Sequence, residues 1–200
     1  MDTIYDAAAK FTVMKDFEYH FVISQKRKLQ TICLNFMDTD FFHIAGLQYL
    51  TDVTLPQDRK ETLNEIIFKH TISDSILQKS IYYNTKNKEQ NVAARIEELR
   101  FLEEYLDTNN SIKLYNIRNT KGMSSVIKAD YLIESWFKNI RSSVYIFIRR
   151  RNEDFEHFGI VSFFKKNKIA YGGDKVYWME KTKISGNFQK TLYIHPNYSK

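Results

Sequence analysis

The chain has 200 residues, of which 43% are hydrophobic and 15% aromatic, so it carries enough apolar surface for a sizeable core and a disordered protein is excluded. Its formal net charge of +6 favours an anionic partner such as nucleic acid, an acidic protein or a membrane surface, although such an excess also serves solubility alone. The single cysteine, Cys33, excludes an internal disulfide and a cysteine-based zinc site, and it suits the reducing conditions of the cytoplasm.

The first half of the chain is predicted to be mainly helical, because its apolar residues recur at intervals of three and four. The predicted helices cover residues 2–23, 58–70 and 88–107, with two short ones after Asp40 and Ser73. Charged side chains interrupt the first of these, so a signal peptide is not expected. One strand is predicted over residues 29–36, where apolar side chains alternate.

After residue 110 the apolar spacing changes to two, which is typical of strands. The predicted strands cover residues 112–117, 125–134, 143–151, 157–165, 175–182 and 190–195. Short turns between them indicate antiparallel neighbours. We therefore expect an α+β fold in one domain, residues 1–200, with a mainly helical part at 1–110 and an antiparallel sheet at 111–200.

Several classes of enzyme lack their characteristic motifs. The sequence has no glycine-rich phosphate loop, no His-x-x-x-His pair and no Gly-x-Ser-x-Gly segment, so nucleotide hydrolases, zinc enzymes and α/β-hydrolases are not supported. Asp38-Thr39-Asp40 offers carboxylates to a metal, but a helix cap is the favoured interpretation. We expect no metal and no cofactor. No apolar run approaches the length that spans a bilayer, so no membrane association is expected.

The most informative local segment is residues 41–50, in which His43 stands between large apolar residues at the predicted opening of a short helix. A hydrogen-bonded core histidine is the commoner explanation of such a residue, and a functional histidine is the other. His70 lies on the apolar stripe of its predicted helix, which favours a structural role. The remaining histidines, His20, His157 and His195, have weaker contexts.

One face of the predicted sheet mixes aromatic rings with cations. Tyr145, Phe147, Arg149 and Arg151 alternate with an apolar set on one strand, and Lys128 points away from the apolar side of the strand before it. This combination suits RNA, because cations meet phosphates and rings stack on bases. An ordinary solvated sheet face remains the alternative.

Two segments resemble a known family. Residues 41–53 resemble the Phe-x-His-Leu-x-Gly-Leu segment of the phage and mobile-element nuclease-like families of the barnase, EndoU, colicin E5/D and RelE fold, with the fourth phage group the most similar. Residues 159–164, followed by Tyr171-Gly172-Gly173 and then by Trp178 and Glu180, resemble a Val-Ser-Phe-Phe strand and the Tyr-bearing and Trp-bearing segments after it in that family. The resemblance implies helices packed on an antiparallel sheet, a metal-independent ribonuclease or toxin-like role, and His43 as the family's histidine.

Metal-free RNA cleavage needs a base, an acid and cations that stabilise the charged phosphorane. We therefore expect the catalytic residues His43, Arg149, Ser162 and Tyr171, and the RNA-binding residues Lys128, Arg151 and Lys165. An immunity or antitoxin protein is a further expected partner. The alternatives are a non-catalytic RNA-binding or protein-binding module and an accessory prophage protein. The position of His43 discriminates between them, because an open cleft facing the cationic strands favours catalysis.

Overall fold

The computed structural model describes residues 2–87, 90–108, 110–116, 127–137, 142–151, 154–167 and 171–199. The α-helices in these ranges are α1 (Thr3–Met14), α2 (Asp38–Ile44), α3 (Glu61–Ile67), α4 (Asp74–Leu77), α5 (Val92–Leu99) and α6 (Leu102–Asp107). The strands are β1 (Glu18–Gln25), β2 (Lys28–Leu34), β3 (Ser111–Tyr115), β4 (Tyr131–Phe137), β5 (Ser142–Arg151), β6 (Asp154–Asn167), β7 (Gly173–Ser185) and β8 (Phe188–Ile194). A short 3₁₀ helix occupies Leu47–Tyr49.

Seven of these strands close into a barrel. The order around it is β1-β2-β6-β5-β4-β3-β7, and β7 also pairs with β1, while β8 adds to β7 outside the ring. Every pairing is antiparallel except that of β2 with β6, which joins Cys33 to His157 and Leu34 to Phe158. The predicted α+β class and the antiparallel pairing are therefore confirmed in part, and closure of the sheet is a feature that the sequence pattern does not predict.

The prediction of one helix over residues 2–23 is wrong. Helix α1 ends at Met14, and β1 follows, with Tyr19, Phe21 and Ile23 completely buried. The error has a simple cause: the spacing of four between Phe17 and Phe21 fits a period of 3.6 and a period of two equally well. As a result, the part of the chain before residue 110 contributes two neighbouring strands to the barrel rather than one.

The other predicted elements differ from the observed ones mainly in where they begin and end. The predicted helix over residues 88–107 is two helices separated at Arg100 and Phe101, and the apolar spacing is the same on both sides of the break. Strand β4 begins at Tyr131, so described residues 127–130 of the predicted strand at 125–134 are not strand. Residues 88–89, 117 and 125–126 of these predictions lie outside the described residues. Helix α3 ends at Ile67, which leaves His70 exposed beside Tyr5 rather than on a buried stripe.

Apolar side chains form two clusters. The larger one joins α1, α2, α5 and α6 to the face of β5 that carries Val144, Ile146 and Ile148. The smaller one lies around the alternate residues of β5, Tyr145 and Phe147. Arg149 is the next residue on the same face of β5 after Tyr145 and Phe147. It is exposed, so this face carries a cation where the smaller apolar cluster ends.

Candidate active site

A cleft of about 890 Å³ lies between α2 with the segment after it and the strands β5 and β6. The predicted site residues that line it are His43, Lys128, Arg149, Arg151 and Ser162. These residues are widely separated in sequence and are brought together by the packing of α2 on β6. His43 therefore lies in a cleft that faces the cationic strands, which is the arrangement that favours catalysis over a core role.

Helix α2 holds His43 in its last turn. The helix begins at Asp38, and Asp40 accepts a hydrogen bond from the backbone N–H of Met37 at 2.9 Å. The expectation that His43 stands at a helix opening is therefore wrong, and helix N-terminal N–H groups do not surround it. Gly46 follows the helix with a φ of +80°, a left-handed conformation that favours glycine.

The buried Arg95 of α5 explains why Gly46 carries no side chain. A Cβ at Gly46 would lie 2.7 Å from Cδ of Arg95. From there the Arg95 guanidinium reaches the Ile44 carbonyl at 3.4 Å and the Ser162 hydroxyl at 3.5 Å. Arg95 thus connects the end of α2 to the floor of the cleft, and its side chain is only 1% exposed.

His43 is half-buried, and its side chain is hydrogen-bonded to the cation Arg59. Nη1 of Arg59 lies 2.7 Å from Nε2 of His43. Because a guanidinium only donates, Nε2 must be the accepting, unprotonated nitrogen. Burial lowers the pKa of His43 from its ordinary value, Arg59 and then Arg149 lower it further, and Asp40 opposes them. These effects favour the neutral imidazole, whose Nε2 lone pair accepts the hydrogen bond from Arg59 at the edge of the cleft.

The lowered pKa of His43 predicts a pH dependence. If His43 acts as a base, activity is lost as pH falls through its pKa, so the acidic limb of kcat/KM against pH should lie below 6.5. Arg59→Gln removes a positive charge that lowers this pKa, so the limb should move to higher pH. The neighbouring exposed Lys60→Gln is the matched control and should leave the limb in place. A limb that is unchanged in Arg59→Gln would mean that another group titrates.

An irregularity in the β5–β6 pairing shapes the opposite wall. Phe147 pairs with Ser162 and Ile148 pairs with Ile160, so Val161 is an extra residue in β6. Such a bulge re-aims the side chains beside it, and both Val161 and Ser162 line the cleft. Ser162 is 6% exposed, and its hydroxyl lies at the end of the Arg95 contact described above.

The exposed cations of the cleft are Lys128, Arg149, Arg150 and Arg59. The guanidinium of Arg150 lies 5.4 Å from the centroid of the Phe158 ring, and its backbone N–H donates to Asp130 at 2.7 Å. Among the described lining residues Asp40 is the one carboxylate, so the cleft is strongly positive. An anionic ligand is the natural occupant of such a surface.

Arg151 lines the cleft but is held by the protein. Its Nη2 and Nη1 contact the two carboxylate oxygens of Asp40 at 2.6 and 3.1 Å, and its Nε donates to the Asn35 side chain at 2.7 Å. The guanidinium also lies directly against Gly159, where a Cβ would be 2.7 Å from its Cζ. This geometry fits a residue that positions α2 on the sheet better than one that binds RNA.

Two predicted site residues do not line the cleft. Lys165 forms an ion pair with Glu98 of α5 at 2.6 Å. Tyr171 is 3% exposed and packs against Tyr145 and Phe147 in the smaller apolar cluster. Both contacts hold elements of the fold together, and both residues lie outside the cleft that His43 lines.

Three basic lining residues were not predicted as site residues from the sequence: Arg59, Arg150 and His157. Arg59 lies at the polar start of the helix predicted over residues 58–70, ahead of its apolar stripe, and Arg150 belongs to the apolar row of β5. His157 comes from β6, and its Nε2 lies 3.6 Å from a carboxylate oxygen of Glu18. A basic triplet at residues 149–151 was the one signal that could have identified Arg150.

Within the described ranges, no group of three or more His, Cys, Asp or Glu side chains is arranged to hold a metal ion. None of the helices in those ranges is long and apolar enough to cross a bilayer.

A family model described as phage-Barnase-EndoU-ColicinE5/D-RelE like nuclease 4 matches residues 3–193. The chain belongs to this family. The resemblance seen at residues 41–53 and 159–180 is thereby confirmed, and the protein is a nuclease-like member of the family across almost its whole length. No curated protein and no solved structure gives a significant match.

Proposed function

We propose that residues 1–200 form a single, metal-independent ribonuclease-like domain of phage or mobile-element origin, which cleaves RNA in the cleft. The observation that carries this proposal is the position of His43, half-buried in an open cleft whose facing wall carries Arg149 of β5 and Lys128 of the segment before β4. Family membership supports a nuclease, and the cations support a polyanionic substrate. RNA is favoured because its 2′-hydroxyl supplies an internal nucleophile.

In the proposed reaction His43 is the general base. Its neutral Nε2 accepts the proton of the 2′-hydroxyl, and the 2′-oxygen then attacks the adjacent phosphorus. The substrate hydroxyl takes the place of Arg59 at Nε2, which leaves the Arg59 guanidinium to bind the phosphate. The bond from phosphorus to the 5′-oxygen breaks, which gives a 2′,3′-cyclic phosphate and a 5′-hydroxyl.

The other roles follow from position and chemistry. Arg149 and Lys128 stabilise the negative charge that develops on the phosphorane, and Ser162 orients the phosphate by donating a hydrogen bond. His157 lines the same cleft and is the candidate donor of the proton that the leaving 5′-oxygen takes up.

A non-catalytic RNA-binding or protein-binding module on the same fold is the second candidate. It would use the same cations, but it would not need an unprotonated imidazole in the cleft. The contact of His43 with Arg59, rather than with backbone groups in the core, supports the catalytic proposal over this one.

We also propose a toxin-like role in the cytoplasm, with an immunity or antitoxin protein as partner. A protein that blocks the cleft would have to present carboxylates to Lys128, Arg149 and Arg150. Binding of such a partner should therefore weaken as salt concentration rises.

The decisive experiment is incubation of the purified protein with total RNA in EDTA. We expect fragments that end in a 2′,3′-cyclic phosphate, formed at the same rate with EDTA as with Mg²⁺, because no step uses a metal. RNA of the same sequence with 2′-O-methyl groups should stay intact, since it lacks the nucleophile. Loss of cleavage in EDTA, or equal cleavage of the methylated RNA, would contradict the mechanism.

A further inference from the structure

The turn between β1 and β2 has an unusual composition. Gln25 pairs with Lys28, so Lys26 and Arg27 are the two central residues of the turn. Both have positive φ values, 49° and 66°. A two-residue turn of this kind strongly prefers Asn-Gly, because those residues tolerate the left-handed conformation. Two long basic side chains therefore occupy positions that are costly for them, and such strain often persists where it serves a function.

The cations of this turn are available to a ligand. Lys26, Arg27 and Lys28 are all exposed, and none forms an ion pair with another described residue. Three adjacent positive charges on a tight turn repel one another, which adds to the cost of the conformation. An anionic ligand would remove that repulsion.

A row of contacts runs from the start of β2, the strand that follows this turn, to the cleft. Two residues beyond Lys28 on the same side of β2, Gln30 accepts a hydrogen bond from the Tyr131 hydroxyl at 2.8 Å. The Tyr131 ring lies 5.9 Å from the ring of Phe158, and the guanidinium of Arg150 lies 5.4 Å from that same ring. Arg150 lines the cleft, so these contacts run from Gln30, two residues after the basic turn, to the cleft.

We propose that Lys26, Arg27 and Lys28 together with Arg150 form an exosite that binds the phosphate backbone of single-stranded RNA beyond the scissile nucleotide. The inference rests on the proposed function, in that RNA is the ligand of the cleft. The exosite recognises phosphates rather than bases, because Lys and Arg at an exposed turn provide charge without a pocket for a base. It selects for strand length, since only an RNA that extends past the cleft reaches it.

The test replaces the basic turn by the preferred one, Lys26→Asn with Arg27→Gly. Because Asn-Gly relieves the strain, the melting temperature should stay the same or rise, so a loss of binding cannot come from unfolding. Affinity for a single-stranded RNA of about 20 nucleotides, measured in a His43→Gln background, should fall about 10-fold at low salt. The slope of log affinity against log salt should flatten by about 1.4, since each lost phosphate contact contributes about 0.7.

A matched control removes two exposed lysines elsewhere, Lys79→Asn with Lys86→Asn, and should change affinity far less. Cleavage of a trinucleotide, which is too short to reach the turn, should be unaffected by the Asn-Gly turn. The exosite would be overturned if the Asn-Gly variant bound the longer RNA with the affinity and salt slope of the wild type. It would also be overturned if the Asn-Gly turn impaired cleavage of the trinucleotide as much as binding of the longer RNA. If the wild-type protein cleaves no RNA but the Asn-Gly turn still weakens binding, the exosite stands and the proposed catalysis fails.

Discussion

Replacing His43 by Gln should lower the rate of RNA cleavage by about 10²–10⁴-fold, the usual contribution of a general base. Glutamine can still accept the hydrogen bond from Arg59, but it cannot take up a proton. Since His43 is only half-buried and its partner Arg59 is exposed, the melting temperature should change by no more than a few degrees.

Two further histidine variants complete this test, the first as a control and the second as the proposed proton donor. His70→Gln changes an exposed histidine outside the cleft and should leave the rate unchanged. His157→Gln should slow cleavage as well, because His157 is the proposed proton donor. Cleavage that survives His43→Gln, or a loss of about 1–3 kcal/mol in stability with that change, would assign His43 to the core instead.

Replacing Arg151 by Gln should destabilise the fold by about 3 kcal/mol, because the change leaves the mostly buried carboxylate of Asp40 without its positively charged partner. The side chains of Arg151 and Asp40 are 16% and 12% exposed, so water can compensate little of the lost pairing. For a domain of this size the melting temperature should fall by about 6–12 °C. Arg149→Gln, at an exposed position two residues earlier, should change stability by no more than about 0.5 kcal/mol.

A double change tests the cause of that destabilisation. Asp40→Asn combined with Arg151→Gln removes both charges, so the double variant should be more stable than Arg151→Gln alone. Arg149→Gln should slow cleavage without unfolding the protein. Its effect should therefore appear in activity, whereas the effect of Arg151→Gln should appear in stability. Equal melting temperatures for Arg149→Gln and Arg151→Gln would contradict the positioning role of Arg151.

The error at β1 and the site residues that the sequence missed share one physical origin. Local spacing predicts an element when one period dominates, as it does in β5 with its alternating apolar residues. At Phe17 and Phe21 two periods fit equally well, and only pairing with β2 and β7 selects the strand. Closure of the barrel depends on the same pairings, and these join residues that are far apart in the chain.

The residues of the candidate site also fall into two groups, those that the local sequence indicates and those whose role depends on long-range contacts. His43 could be proposed from sequence because its neighbours, Phe41 to Leu47, form a local segment that resembles one of the family. Arg149 and Arg151 look alike in sequence, since both are basic and lie on the same side of one strand. They differ because Asp40, 111 residues from Arg151, reaches only one of them, and Arg59, 16 residues from His43, reaches the imidazole. Composition and spacing could therefore indicate a basic α+β protein, and the resemblance to the family added a nuclease-like role and one candidate histidine. Long-range contacts decided which cations are free to bind a phosphate, because the partner that neutralises or orients a charge need not be near it in the chain.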